Sequence, residues 1–200
     1  RIAPVLRAGF VLATITAIHV MVTLWEIEPL LLVIGEPPDL AEAVAGYIRI
    51  LLFAAPAALS LAVQRSYLSA VGWARLVMIV SAGGLILNAA LNYGLMFGAF
   101  GLPEMGYRGS ATATLIALWT MAGVTAACMH WARTDGGSRQ AGLVHWPAVR
   151  RAVGELAALG WPIAVTLGVE ILLFLAGALM MGLLGATALA AHQVALTVAS

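Results

Sequence analysis

The sequence predicts an all-α integral membrane protein, a polytopic helical bundle, and three observations carry that prediction. Of the 200 residues, 62% are hydrophobic and only 10% charged, with a mean hydropathy of +1.01. Soluble domains run nearer about 45–50% apolar and about 25% charged. The apolar residues also gather in runs long enough to cross the roughly 30 Å hydrocarbon core at about 1.5 Å per helical residue. Finally, the strand-length alternation of a membrane barrel is absent.

Five such runs can each span, and a sixth begins. The first covers residues 8–24 and is extended past Trp25-Glu26-Ile27-Glu28-Pro29 by residues 30–35. The second, residues 43–63, is interrupted by Pro56, which lacks an amide hydrogen and should kink the helix. Neighbouring groups or cavity water can satisfy the carbonyls so freed. Residues 76–100, 109–131 and 156–184 form the third, fourth and fifth runs, and the sixth starts near Thr187. Pro162 falls near the start of the fifth, where proline is tolerated.

All ten positive residues are arginines, and their placement tests this count. Arg1 and Arg7 precede the first run, Arg65 and Arg75 flank the loop after the second, and Arg133, Arg139, Arg150 and Arg151 occupy the connection after the fourth. With alternating spans, these eight fall on one side and only Arg49 and Arg108 lie on or near the other. Glu26, Glu28, Glu36, Asp39, Glu42 and Glu104 fall opposite. Arginine bias sets orientation, so the loops near Arg1, Arg65–Arg75 and Arg133–Arg151 are expected in the cytoplasm. The connection at 132–153 is the one long polar stretch. It holds the turn-prone Asp135-Gly136-Gly137-Ser138 and reads as a solvated linker between two bundles. Residues 144–159 are expected as a short interfacial helix leading into the fifth span, with Trp146 at headgroup level.

Glu170 is the residue that carries function. It sits near the middle of residues 161–184, a stretch with no other ionisable side chain. A carboxylate at that depth costs about 2.5–3.5 kcal/mol on insertion scales, so it should face a bundle interior or an aqueous cavity. A membrane helix carrying one such group is expected to handle ions, protons or cationic cargo.

The other polar positions leave alternatives open. Asn88 and Asn92, four apart, share a face of the third helix and serve either as interhelical glue or as cavity lining. Gly94-Leu95-Met96-Phe97-Gly98 on the same helix matches GxxxG, which favours close helix contact. His19 has no acid one turn away and reads as a packed histidine. Arg65, next to Gln64, can snorkel at the end of the second helix. His192 and Gln193 open the sixth helix, where both either face a cavity or merely pack.

Several classes are excluded. No Ser/His/Asp grouping, paired acidic metal motif, phosphate-cradling glycine loop or Cys/His metal spacing is present, so an enzyme is not expected. The single Cys128 permits no intrachain disulfide and reads as a packing residue. The net charge of +1 comes with no basic cluster, so no nucleic-acid partner is expected. The chain opens on Arg1 without a cleavable leader pattern and stops inside an apolar segment. It reads as an internal stretch of a longer chain.

In order along the chain, the fragments Leu61-Ala62-Val63-Gln64-Arg65-Ser66-Tyr67, Asn88-Ala89-Ala90-Leu91-Asn92, Gly98-Ala99-Phe100-Gly101-Leu102-Pro103, Gly160-Trp161-Pro162-Ile163-Ala164 and Ala190-Ala191-His192-Gln193-Val194-Ala195-Leu196 resemble the multidrug and toxic compound extrusion (MATE) family, NorM type. The resemblance implies a two-lobe fold of six plus six transmembrane helices. Residues 1–131 would be part of the N-terminal lobe, 132–153 the cytoplasmic interlobe connection and 154–200 the start of the C-terminal lobe. It further implies a multi-pass transporter of the bacterial inner membrane that works as a monomer among membrane lipids. Such a protein exports organic, often cationic, drugs against Na⁺ or H⁺ and holds no cofactor. Glu170 matches the family's seventh-helix acid, implicated in cation and drug binding, and would be the Na⁺ ligand if Na⁺ couples. Gln193 matches an eighth-helix position on the same cavity, and Thr197 stands where the family has an asparagine. The alternative is a lipid-linked oligosaccharide flippase of related fold, which would want a more cationic cavity than an acid and no central arginine provide.

Overall fold

The computed structural model describes residues 2–35, 37–135 and 146–183. Among them the regular elements are all helical: α1 (Ile2–Leu24), α2 (Ile27–Ile34), α3 (Pro38–Leu52), α4 (Ala55–Ala70), α5 (Ala74–Phe97), α6 (Tyr107–Asp135) and α7 (Trp146–Leu183). A 3₁₀ turn, Ala99–Gly101, follows α5. The segment expected from Thr187, with His192, Gln193 and Thr197, lies outside the described residues, as do residues 136–145 of the connection.

Helices α1, α5, α6 and α7 are each long and apolar enough to cross a membrane, and α3 with α4, bent by 44° at the break between them, is so when the pair is taken as one broken span. The protein is an all-helical, multi-pass membrane protein. The bend differs in detail from a kink at Pro56. The chain breaks at Phe53 and Ala54, and Pro56 lies in the first turn of α4, where its missing amide is not needed. The amides of Phe53 and Ala54 donate to carbonyls three residues back, Ile50 at 3.2 Å and Leu51 at 2.8 Å, which tightens the end of α3. The Phe53 carbonyl is left without a helical donor and accepts instead from the Trp119 indole of α6 at 3.0 Å. In hydrocarbon an unpaired carbonyl is costly, and a neighbouring helix meets that need here.

Small residues set how closely the helices approach. Ala8 and Ala17 of α1, Ala41 and Ala45 of α3, Ala57 of α4 and Ala111, Ala113 and Ala117 of α6 are all buried. Lipid is as apolar as leucine, so close backbone approach replaces the hydrophobic drive of soluble proteins. The tightest contact is between α5 and α6. A Cβ on Gly109 would overlap the Leu95 carbonyl, and one on Gly84 would collide with Met121. Among the described residues, the expected GxxxG contact does not occur between helices. Gly98, at φ 70°, is the left-handed cap that ends α5, and Gly94 faces Leu102 of the following turn. The motif sits at a helix terminus, where glycine's tolerance of positive φ is what matters.

Two apolar layers hold α4 against α6. One joins Ala57 and Leu61 to Met121 and Ala122; the other joins Leu68 to Met129 and to Leu6 of α1. Between them by sequence register lie Gln64 and Thr125, the two buried polar side chains of the described residues. Thr125 donates to the Met121 carbonyl at 2.7 Å, whereas Gln64 Oε1 has no partner there.

The chain divides into two compact units, Arg1–Val153 and Gly154–Ser200. The first contains α1 to α6 and the opening turns of α7. The described part of the second is α7 from Gly154 onward. Residues expected as a separate interfacial helix therefore belong to α7, which is helical without interruption from Trp146. Pro147 favours a helix start there, a signal hydropathy alone does not carry. As a result, Pro162 lies inside α7 rather than near its start. His19, expected to be packed, is exposed on α1 among the described residues.

Replacing Trp119 with Phe keeps an aromatic ring but strands the Phe53 carbonyl. A loss of about 1 kcal/mol is expected, read as a lower unfolding midpoint in lipid nanodiscs. An unchanged midpoint would show that the indole bond does not hold the bend.

Candidate functional site

Two places in the spans bring polar groups to membrane depth. On α5, Asn92 Nδ2 donates to Asn88 Oδ1 at 3.3 Å, and Asn88 Nδ2 donates across to Thr114 Oγ1 of α6 at 3.4 Å. Thr114 in turn donates to the Ser110 carbonyl one turn earlier at 3.1 Å. Both amide bonds are long for their type and therefore soft. Asn88 and Thr114 also line a cleft of about 300 Å³ with Ser81, Gly84, Leu118 and Met121. For Asn88 the two sequence alternatives are thus not exclusive, since the same amide ties α5 to α6 and faces the cleft. Gly84 and Ser81 leave room on its wall because their side chains are small. Thr114 was not singled out by sequence. Hydroxyl residues are common in membrane helices, and only its one-turn spacing from Ser110 hinted at a polar face.

The second place is α7. Pro162, Thr166 and Glu170 follow one another at four-residue intervals, so each step along α7 brings an oxygen-bearing or carbonyl-freeing residue to the same side. Proline has no amide hydrogen, so the Ala158 carbonyl one turn before Pro162 loses its helical donor. Thr166 Oγ1 donates to the Pro162 carbonyl at 3.0 Å, as hydroxyls in membrane helices commonly do. Glu170 is exposed and makes no hydrogen bond or ion pair among the described residues. This places Pro162 two turns before the acid on the same side of α7.

The remaining expected positions separate. Pro56 shapes the α3–α4 bend and does not line the α5–α6 cleft. His192 and Gln193 lie outside the described residues. No group of three or more His, Cys, Asp or Glu side chains converges among the described residues. Cys128 is half-buried and free. On the acidic side, Glu28 of α2 pairs with Arg49 of α3 at 3.2 Å, with Trp25 packed edge-on against Phe53 at 6.2 Å. That pair accounts for one of the two arginines that depart from the one-sided distribution.

A sequence profile of the MatE family matches residues 1–94. The chain is 47% identical over 205 residues to the multidrug resistance protein NorM of Burkholderia vietnamiensis, covering 100% of this chain and 43% of that protein. It is 38% identical to the probable multidrug resistance protein NorM of Pseudomonas putida, covering 96% and 41%. To the multidrug resistance protein MdtK of Klebsiella pneumoniae it is 35% identical, covering 100% and 44%. The chain belongs to the MATE family. The resemblance drawn from the ordered motifs therefore holds. This MATE chain spans less than half the length of the curated relatives it matches.

Asn88→Ala separates the two jobs of that amide. As glue alone, its loss should cost about 0.6 kcal/mol and leave transport by the full protein intact. Because Asn88 also faces the cleft, we expect transport to fall at least severalfold while the unfolding midpoint moves little. Equal, small effects on both would reduce Asn88 to a packing residue.

Proposed function

We propose that this MATE chain works in cation-coupled antiport, exporting organic, often cationic, drugs across the bacterial inner membrane by alternating access. The observation that carries the reading is Glu170, a lone carboxylate in the middle of an apolar span. The relatives' description as multidrug resistance proteins supports the cargo class. Residues 1–131 then belong to the first lobe, 132–153 to the cytoplasmic interlobe connection and 154–200 to the start of the second lobe, in a protein that works as a monomer.

The physics of one acid with two ligands gives the coupling. An unpaired carboxylate in hydrocarbon is unfavourable enough that something must neutralise it. A proton or Na⁺ does so in one phase of the cycle, and a cationic drug does so in the other. Both ligands need the same oxygen pair, so binding of one weakens binding of the other. Each shifts the balance between inward- and outward-facing states only by its difference in affinity for the two. A Na⁺ ion would want several oxygen ligands besides the carboxylate. On α7, Thr166 Oγ1, one turn from the carboxylate, is on offer, and Gln193 of the next segment is a further candidate. His192 beside it is a candidate for the cavity wall. Asn88, with Asn92 hydrogen-bonded to it, gives the first lobe a polar surface on the α5–α6 cleft, and the break beside Pro56 and the amide missing at Pro162 let helices flex as the lobes rock. No observation favours the flippase alternative, because no arginine lies at the centre of a span.

Reconstituted Glu170→Gln protein should insert normally and lose drug efflux driven by an ion gradient. Undiminished gradient-driven efflux in that variant would refute the role given to the acid. Orientation is tested separately. In a Cys128→Ala background, Arg75→Cys should react with a membrane-impermeant maleimide only from the cytoplasmic face, and Glu104→Cys only from the outer face. The reverse pattern would invert the topology.

A further inference from the structure

We propose that the cytoplasmic start of α7, with the adjoining face of α1, binds an anionic phospholipid, its phosphate on arginines and one acyl chain in the groove between the helices. The groove, of about 190 Å³, is lined by Val11 of α1 and by Trp146, Val149, Arg150 and Val153 of α7. It is an open, mostly apolar groove, with Val149 at its base only 2% exposed. Trp146, by contrast, is 63% exposed, in the position of an interfacial aromatic with one face in lipid. Arg150 lies one helical turn beyond Trp146, next to the exposed Arg151, and Arg7 lies one turn before Val11 on the same side of α1.

Charge decides the occupant. The one ion pair of the described residues is Arg49–Glu28, so Arg7, Arg150 and Arg151 are not neutralised within them. No acid lies in the first turn of α7, and the first one along it is Glu155. Between Arg1 and Glu26 the first span contains none. Arginine offers a planar fork of donors that matches phosphate oxygens, and basic pockets between helices on the cytoplasmic side are where anionic headgroups dock. A soluble phosphate would use the arginines but leave the valine-lined trough empty; a zwitterionic lipid would fill the trough without matching the charge. An anionic phospholipid satisfies both. The proposal rests on the cytoplasmic placement of these arginines and not on antiport. Once bound, such a lipid pins the base of α7 to α1.

Native mass spectrometry of the full-length transporter, loaded from mixed micelles of dioleoyl phosphatidylglycerol and dioleoyl phosphatidylcholine, tests this. Wild-type protein should retain phosphatidylglycerol about tenfold better than phosphatidylcholine. Arg7→Gln/Arg150→Gln should remove that preference, while Arg65→Gln/Arg75→Gln, which neutralises arginines of the same side away from the groove, should keep it. Val11→Trp, which fills the trough but spares the charges, should also lower phosphatidylglycerol retention, and soluble glycerol phosphate should not displace the lipid. Equal retention of both lipids by wild type, or equal loss in the two arginine pairs, would overturn the site. Displacement by glycerol phosphate would make it a free-phosphate site, and an inert Val11→Trp would mean that protein rather than lipid fills the trough. None of these readouts involves transport, so their failure is distinguishable from failure of the antiport reading.

Discussion

In hydrocarbon, no polar group can fall back on water, and the break in α3–α4, the Asn88 contact and the end of α5 all follow from that constraint. The α3–α4 crossing can break mid-span because the Trp119 indole takes the Phe53 carbonyl that the break releases. Asn88 can sit on α5 because Thr114 of α6 accepts its amide. Even the last turn of α5 obeys the same rule, since the Leu95 carbonyl accepts from Met105 at 2.8 Å as the chain turns back toward α6. The helices approach closely enough for such bonds because alanines and two glycines, Gly84 and Gly109, remove side chains from the contact surfaces.

Against that background, Glu170 is the exception, and the proposed function gives it a purpose. Other ionisable groups lie near helix ends or in connections, or are paired, as Arg49 is with Glu28. Among the described residues, Glu170 is an unpaired acid inside an apolar span, one turn beyond Thr166 and two beyond Pro162. A transporter benefits from a group whose neutral and charged forms are both incompletely satisfied, because a transient ligand then completes it. A permanently paired acid would bind neither ion nor cargo. The proposed mechanism converts the insertion cost of one carboxylate into competition between two ligands.

The helical class and the apolar runs long enough to cross were legible in the sequence, because lipid thickness fixes span length and such runs report it directly. The break at Pro56 was legible in kind but not in place, since a proline at the start of α4 moves the interruption to Phe53 and Ala54. Hydropathy also missed the first turns of α7, which are too polar to read as a span, although Pro147 marks their start. The GxxxG match misled for a physical reason: the same glycine that permits close approach also permits the positive φ that ends a helix, and at Gly98 the second use prevails. The close approach itself falls at Gly84 and Gly109, in no recognisable spacing because they are on different helices. Thr114 and Trp119 acquire their roles only through tertiary neighbours, which no single-helix pattern encodes. Glu170 stood out because an acid in an apolar run needs no neighbour to be conspicuous.

The shared-carboxylate account is tested most directly by equilibrium binding of a fluorescent organic cation to the purified, full-length transporter across a titration of Na⁺ and of pH. If ion and cargo exchange on Glu170, the apparent Kd for the dye rises steadily as Na⁺ or H⁺ increases, and that dependence vanishes in Glu170→Gln. A dye affinity indifferent to both ions in the wild-type protein would contradict the account.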